Sequence, residues 1–311
     1  MSVTREKLEL LGGRITGIAA LPTEPPEKAL LVYVHGGGAN ATSFDIPGHS
    51  QLELAALNGF PAFALDRPGS GDSVSLGFSP DSDSGLMRAN AERLLDAVGE
   101  LWQQHQQGSP GVVLVGCSIG GAITLHLAAL WGALTDPSWP LLGVAVSDIG
   151  QVLPPAMVGA WDAPSDTEYA GLEQLAGKIS MPPLWTVPAY VLGAADRRES
   201  FQPALHAELK EVAGGWVREW SDVASRVTVP VHYRLAELDN LWVAGEDGVT
   251  AFAAALRAGS PYVDAALFPG SSHVIANSIA GYEYRFQVLG FAERCAAAAT
   301  TPELLGRAPQ S

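Results

Sequence analysis

Short, β-branched apolar runs alternate with longer helix-compatible segments through most of this chain. A strand that is apolar at nearly every position must be buried on both faces, and a parallel sheet covered by helices is the arrangement that buries it. The runs predict strands at Leu8–Leu11, Ile15–Leu21, Ala29–Val34, Pro61–Leu65, Val112–Val115, Leu141–Val146, Val229–Leu235 and Tyr262–Phe268. The first two lie close enough to pair as an antiparallel hairpin. Helices are predicted over Gln51–Asn58, Leu86–Gln107, Gly120–Leu134, Val249–Ala258 and Ile279–Ala298, where they serve as right-handed crossovers. The expected fold class is therefore α/β, with a mostly parallel eight-stranded sheet flanked by helices.

One connection is too long for a simple crossover. Residues 150–226 separate the sixth and seventh predicted strands and hold four of the eight tryptophans. They are read as a helical lid inserted between a first core segment, 1–149, and a second, 227–299, with 300–311 as a flexible tail. Inside the insertion Phe201, Leu205, Leu209, Val212, Trp216, Trp220 and Val223 recur every three or four residues, which places them on one helical stripe that Gly214-Gly215 could interrupt. Such a stripe packs the insertion on the core, and Trp216 or Trp220 could also line a substrate cavity. With 311 residues and 47% hydrophobic content the chain can bury a large core, so neither disorder nor a small stapled scaffold fits.

Charge narrows the partners. Eighteen basic against 33 acidic residues give a net charge of −15, which repels phosphate backbones and anionic membrane surfaces. No apolar run approaches the roughly 20 residues a spanning helix needs, and the N-terminus lacks a cationic flank followed by an apolar stretch, so a soluble cytoplasmic protein is expected. Two cysteines, Cys117 and Cys295, cannot build a disulfide framework or a thiolate zinc site and are read as packing residues.

Chemistry concentrates at strand ends. The run Val112-Val113-Leu114-Val115 leads into Gly116-Cys117-Ser118-Ile119-Gly120 and then into a helical pattern. A serine at a tight strand-to-helix turn is forced into an unusual backbone conformation, and glycines two residues either side leave room for it. A second strand ends in His35-Gly36-Gly37-Gly38, whose backbone N–H groups can converge on a developing oxyanion unobstructed by side chains. Gly37, Gly38 and the N–H of Ile119 are the candidate donors, and His35 reads as a structural hydrogen-bonding residue.

These two motifs, in this strand order, resemble the α/β-hydrolase superfamily over nearly the whole chain, in the form of a serine-nucleophile member with an inserted lid. The stretch Asp66-Arg67-Pro68-Gly69-Ser70-Gly71-Asp72-Ser73 is similar to a turn that follows the fourth strand in many members, and reads as structural. The resemblance implies an acid and a histidine late in the chain, in the order Ser, acid, His. Asp239, in Ala236-Glu237-Leu238-Asp239, matches the acid position, although Ala236 replaces a usual glycine and Glu237 and Asp148 are rival carboxylates. His273, in the loop after the last predicted strand, matches the histidine, with Ser272 in place of the usual preceding glycine. His105, His126 and His206 in helical segments, His232 inside a strand and His49 near a helix start suit the role less well.

The activity implied by this resemblance is hydrolysis through an acyl-Ser118 intermediate, with His273 as general base and Asp239 as its orienting partner, needing neither metal nor organic cofactor. Serine at position 118 sets the chain apart from the epoxide hydrolase-like and haloalkane dehalogenase-like members, which carry aspartate there, and from dienelactone hydrolase-like members, which carry cysteine. Trp161, Trp185, Trp216, Trp220 and Trp242, with Met157 and Met181, suggest a largely apolar pocket for a medium-sized small molecule. An ester, lactone or thioester is the expected substrate. Acyl transfer or carbon–carbon bond hydrolysis on the same residues, and a non-enzymatic ligand receptor of this fold, are the alternatives, and the oligomeric state is open.

Overall fold

The computed structural model describes residues 2–24, 27–79, 85–162, 168–170, 200 and 202–305. Eight strands form one sheet: β1 (Val3–Leu10), β2 (Ile15–Pro22), β3 (Leu30–Val34), β4 (Ala62–Leu65), β5 (Val112–Cys117), β6 (Leu141–Ser147), β7 (Val231–Ala236) and β8 (Val263–Phe268). Their spatial order is β1-β2-β4-β3-β5-β6-β7-β8. The β1–β2 hairpin and the β2–β4 pair are antiparallel, and every later pair is parallel. All eight expected strands are present. The first begins at Val3 rather than Leu8, because Thr4, Arg5, Glu6 and Lys7 pair with β2 along a solvent-facing sheet edge where polar side chains are tolerated.

Among the described residues the helices are α1 (Gln51–Leu57), α2 (Leu86–His105), α3 (Ile119–Gly132), α4 (Pro155–Trp161), α5 (His206–Glu211), α6 (Val217–Ser225), α7 (Glu246–Arg257) and α8 (Gly281–Thr300). Alternation along the central strands explains their distribution. Leu30, Val32 and Val34 of β3 and Val112 and Leu114 of β5 point to one face, where they meet α2, α3 and α7. Leu31, Tyr33, Val113 and Val115 point to the other, where Leu52, Ala55 and Ala56 of α1 and Tyr284, Val288 and Ala292 of α8 cover them. Both faces are apolar at consecutive positions, as a doubly covered sheet requires.

The stripe read between Phe201 and Val223 is helical from His206 onward, and Phe201 itself lies outside the described residues. Gly214-Gly215 does not break it: α5 passes through a π-helical turn, Val212–Trp216, directly into α6. A turn of that kind takes up one extra residue without ending the helix. The segment lies against α2, α3 and α7. Glu211 anchors it, its buried carboxylate accepting the N–H groups of Gly85 and Met87 at the start of α2, 3.0 Å each. Much of the expected lid, including Trp185 and Met181, lies outside the described residues. In the segment read as a tail, α8 runs to Thr300 and a short 3-10 turn follows at Pro302–Leu305. Among the described residues no helix is long and apolar enough to cross a membrane.

Candidate active site

The site lies at the carboxyl ends of the parallel strands, where β3, β5, β6, β7 and β8 each deliver a loop. Strand β5 leads directly into Ser118, which has φ 55° and ψ −129°, a conformation L-residues rarely adopt. The turn is over-determined by its neighbours. The Ser118 N–H donates to the Ser147 carbonyl at 2.8 Å, and the Ser118 carbonyl accepts from Gly121 at 2.7 Å in the first turn of α3. A Cβ at Gly116 would collide with the Thr124 hydroxyl and lie 2.6 Å from the Gly120 carbonyl oxygen, and one at Gly120 would collide with the carbonyls of Val34 and His35. Both glycines are thus required by close approach of backbone. Ser118 itself is half-buried, open enough for a ligand to reach.

His273 follows β8, and its ring bridges two groups. Its Nε2 lies 3.0 Å from Ser118 Oγ and its Nδ1 lies 2.9 Å from Asp239 Oδ2. Asp239 sits in the turn after β7, and its other oxygen, Oδ1, accepts the N–H groups of Leu241 at 2.9 Å and Trp242 at 3.2 Å. Two backbone donors on Oδ1 fix the carboxylate plane and leave Oδ2 for the imidazole. Burial acts to lower the His273 pKa, but the charge and hydrogen bond of Asp239, aided by Asp148, outweigh it and the net shift is upward. The three expected residues are therefore brought into one hydrogen-bonded row.

Of the rival carboxylates, Glu237 is exposed and accepts the Gly270 N–H at 2.8 Å, away from the imidazole. Asp148 is fully buried at the end of β6 with φ 60°. Its carboxylate accepts from Ile275 N at 3.1 and 3.2 Å, from the Ser147 hydroxyl at 2.6 Å and from the Cys117 thiol at 3.5 Å. It thus holds the loop two residues beyond His273. Burial pushes its carboxyl up to about 6. Ligand atoms of Asp148, Asp239 and His273 lie within 4.8 Å of one another, but both ring nitrogens of His273 are already engaged with Asp239 and Ser118, so the cluster is arranged to handle a proton. Sequence reasoning offers Asp148 as a rival acid or as a cap or anchor for the insertion; its tie to Ile275 spans 127 positions and has no local signature.

The glycine loop after β3 faces the elbow. A Cβ at Gly36 would stand 3.1 Å from Ser118 Cβ, and one at Gly37 would press on Ile119 Cδ1 at 2.7 Å, so Gly37 and Ile119 are neighbours beside the serine. Gly38 is turned with φ 64°, and its carbonyl accepts the Gln202 N–H at 3.0 Å. His35 is buried and held well below the ordinary histidine pKa by burial and by the nearby Arg67 guanidinium, hence neutral. Its Nε2 accepts the Arg67 N–H at 3.1 Å, which leaves the proton on Nδ1, 2.8 Å from the Gly36 carbonyl.

The tryptophans expected to line a cavity divide. Trp216 is fully buried, donates to the Gly150 carbonyl at 2.8 Å and packs beside Phe252 of α7. Trp220 stacks on the same Phe252 at 5.2 Å. Both rings therefore seal the α5–α6 segment to the core. Trp161 and Met157 are buried along α4, and Trp242 is buried with its ring N–H 3.1 Å from the Asp148 carbonyl. Cys295 packs from α8 into the core, and burial, together with the neighbouring Asp148, keeps the Cys117 thiol well above the ordinary value.

A mostly parallel eight-stranded sheet in this order, with a serine at the β5 elbow and a long connection after β6, has the α/β-hydrolase fold. A sequence model of the alpha/beta hydrolase family matches residues 31–278, and the chain belongs to that family. Similar solved structures include a thermostable carboxyl esterase from Bacillus coagulans, 17% identical with a TM-score of 0.68, covering 95% of this chain and 99% of its own. A monoacylglycerol lipase from Paleococcus ferrophilus is 19% identical with a TM-score of 0.59, covering 96% and 99%. An epoxide hydrolase from Vigna radiata is 16% identical with a TM-score of 0.61, covering 94% and 98%. Among curated proteins, none matches the sequence.

Proposed function

We propose that this protein is a serine hydrolase that cleaves a carboxylic ester, lactone or thioester of a medium-sized, largely apolar small molecule through an acyl-Ser118 intermediate. The observation that carries the reading is the continuous row Ser118 Oγ, His273 Nε2, His273 Nδ1, Asp239 Oδ2, with links of 3.0 and 2.9 Å. His273 removes the Ser118 proton as Oγ attacks the carbonyl carbon, then delivers that proton to the leaving alcohol or thiol. Asp239 holds the tautomer with the proton on Nδ1 and stabilises the imidazolium. The N–H groups of Ile119, Gly37 and Gly38 receive the charge on the tetrahedral oxygen. Water, activated by the same histidine, then releases the acid and restores Ser118. The esterase and lipase among the similar structures favour this chemistry, and serine at position 118 separates it from the aspartate-based chemistry of epoxide hydrolase-like members. The 150–226 insertion reaches the glycine loop at Gln202, and the apolar Trp242 lies buried next to Asp239.

Labelling with a fluorophosphonate followed by intact-mass measurement and peptide mapping tests the reading without a substrate guess. A single adduct on Ser118, absent in Ser118→Ala and His273→Ala, is expected, together with turnover of short-chain p-nitrophenyl esters. Ester turnover that persists in Ser118→Ala overturns it.

A further inference from the structure

We propose that Arg67 and Glu208 form a buried positioning pair that aims the Gly37 N–H at the oxyanion. The inference rests on the serine-hydrolase reading above and adds residues that no triad or elbow motif includes. Arg67, in the turn after β4, and Glu208, on α5, are both almost fully buried, and their side chains meet in a two-armed contact: Nη1 with Oε1, and Nη2 with Oε2 at 3.2 Å. The same Nη2 donates to the Gly36 carbonyl at 3.1 Å, and neutral His35 donates to that carbonyl from Nδ1 at 2.8 Å.

The Gly36 carbonyl and the Gly37 N–H belong to one trans peptide unit, in which C=O and N–H point in opposite directions. Two donors that fix the carbonyl from one side therefore fix the N–H toward the other. A glycine peptide has no side chain to resist rotation, so an external hold is what keeps this donor in place. Arg67 also anchors His35 through its own backbone N–H, so one residue governs both donors on the Gly36 carbonyl. Glu208 in turn orients the guanidinium, since a fork held at both arms by a carboxylate cannot swing away. The segment returning from the insertion fastens the same loop at two further points. Gln202 N–H donates to the Gly38 carbonyl at 3.0 Å, and the hydroxyls of Thr42 and Ser200 are hydrogen-bonded at 3.0 Å.

The test compares Glu208→Gln, which keeps the side-chain volume, with the double variant Arg67→Met/Glu208→Met, which replaces both buried charges by apolar groups so that neither is left unpaired. Each is assayed with a short-chain p-nitrophenyl ester, with kcat normalised to the fraction of molecules that the fluorophosphonate labels at Ser118. Inhibition by an alkylboronic acid, whose tetrahedral adduct places an anionic oxygen at the N–H donors, is measured alongside. The expected result is kcat lower by about 10- to 100-fold in both variants, KM within about threefold of the parent, and boronate affinity reduced in parallel with kcat/KM. A purely structural role would lower the thermal midpoint while leaving normalised kcat unchanged, and normalised kcat within about twofold of the parent in either folded variant overturns the proposal. Turnover that survives Ser118→Ala overturns the serine-hydrolase reading and this inference with it, an outcome distinct from Ser118-dependent turnover that ignores the pair.

Discussion

Replacing Asp148 by asparagine is expected to stabilise the protein at alkaline pH and to leave its stability in acid nearly unchanged. The carboxyl is fully buried, and its pKa rises from 3.8 to about 6, chiefly through burial. A group whose folded pKa lies above its unfolded value binds protons more tightly in the native state. Its contribution to stability is therefore fully present below pH 3.8, declines between 3.8 and about 6, and is gone above that. A shift of about two pKa units corresponds to about 3 kcal/mol that the ionised carboxylate costs at pH 8. Asparagine carries no charge and can still accept the Ile275 N–H, while Ser147, now a donor to Oδ2 at 2.6 Å, can turn its hydroxyl to accept from the new amide. At roughly 2.1 cal/mol/K per residue, 311 residues give an unfolding entropy of about 0.65 kcal/mol/K, so 3 kcal/mol raises the midpoint by about 4–5 °C. Thermal unfolding at pH 8 and at pH 4 reads the effect directly. A lower midpoint at pH 8, or the same gain at both pH values, would refute the assignment of the upward shift to a buried, ionising carboxyl.

With His273 as the proposed general base, which must be neutral to act, its upward shift is expected to place the acid limb of kcat/KM above the ordinary histidine value of about 6.5. In Asp239→Asn the opposing burial acts without that support, so the limb moves to lower pH while kcat falls by about 10⁴-fold at the plateau, both read from pH–rate profiles. Gly120→Ala is expected to cost about 3 kcal/mol or more and to abolish labelling of Ser118, because the new methyl meets the rigid carbonyls of Val34 and His35 rather than a movable side chain; urea unfolding and the fluorophosphonate mass shift report the two effects.

Which features can be read from the sequence depends on the range of the interactions that create them. The eight strands and five of the helices announce themselves because alternation and helical periodicity are local. The start of α7 at Glu246 rather than Val249 carries a local sign too, since Glu246 and Asp247 are acidic residues in a first turn, where the helix dipole favours them. Ser118 is readable for the same reason: its setting is a strand, two glycines and a helix within a few residues. Asp239 and His273 need the family's chain order, because nothing near either residue names its partner. Trp216 and Trp220 show the limit of periodicity. It places them on one stripe, but whether a stripe faces a cavity or a core is decided by what lies opposite, here Phe252 from a helix that comes later in the chain. Arg67 and Glu208 stand beyond that limit. They are 141 positions apart, each sits in a segment whose local pattern explains it without the other, and only the closing of the sheet and the return of the insertion across the glycine loop bring the two charges together. A motif therefore finds the atoms proposed to react, whereas the residues proposed to aim them appear only when the fold has closed around them.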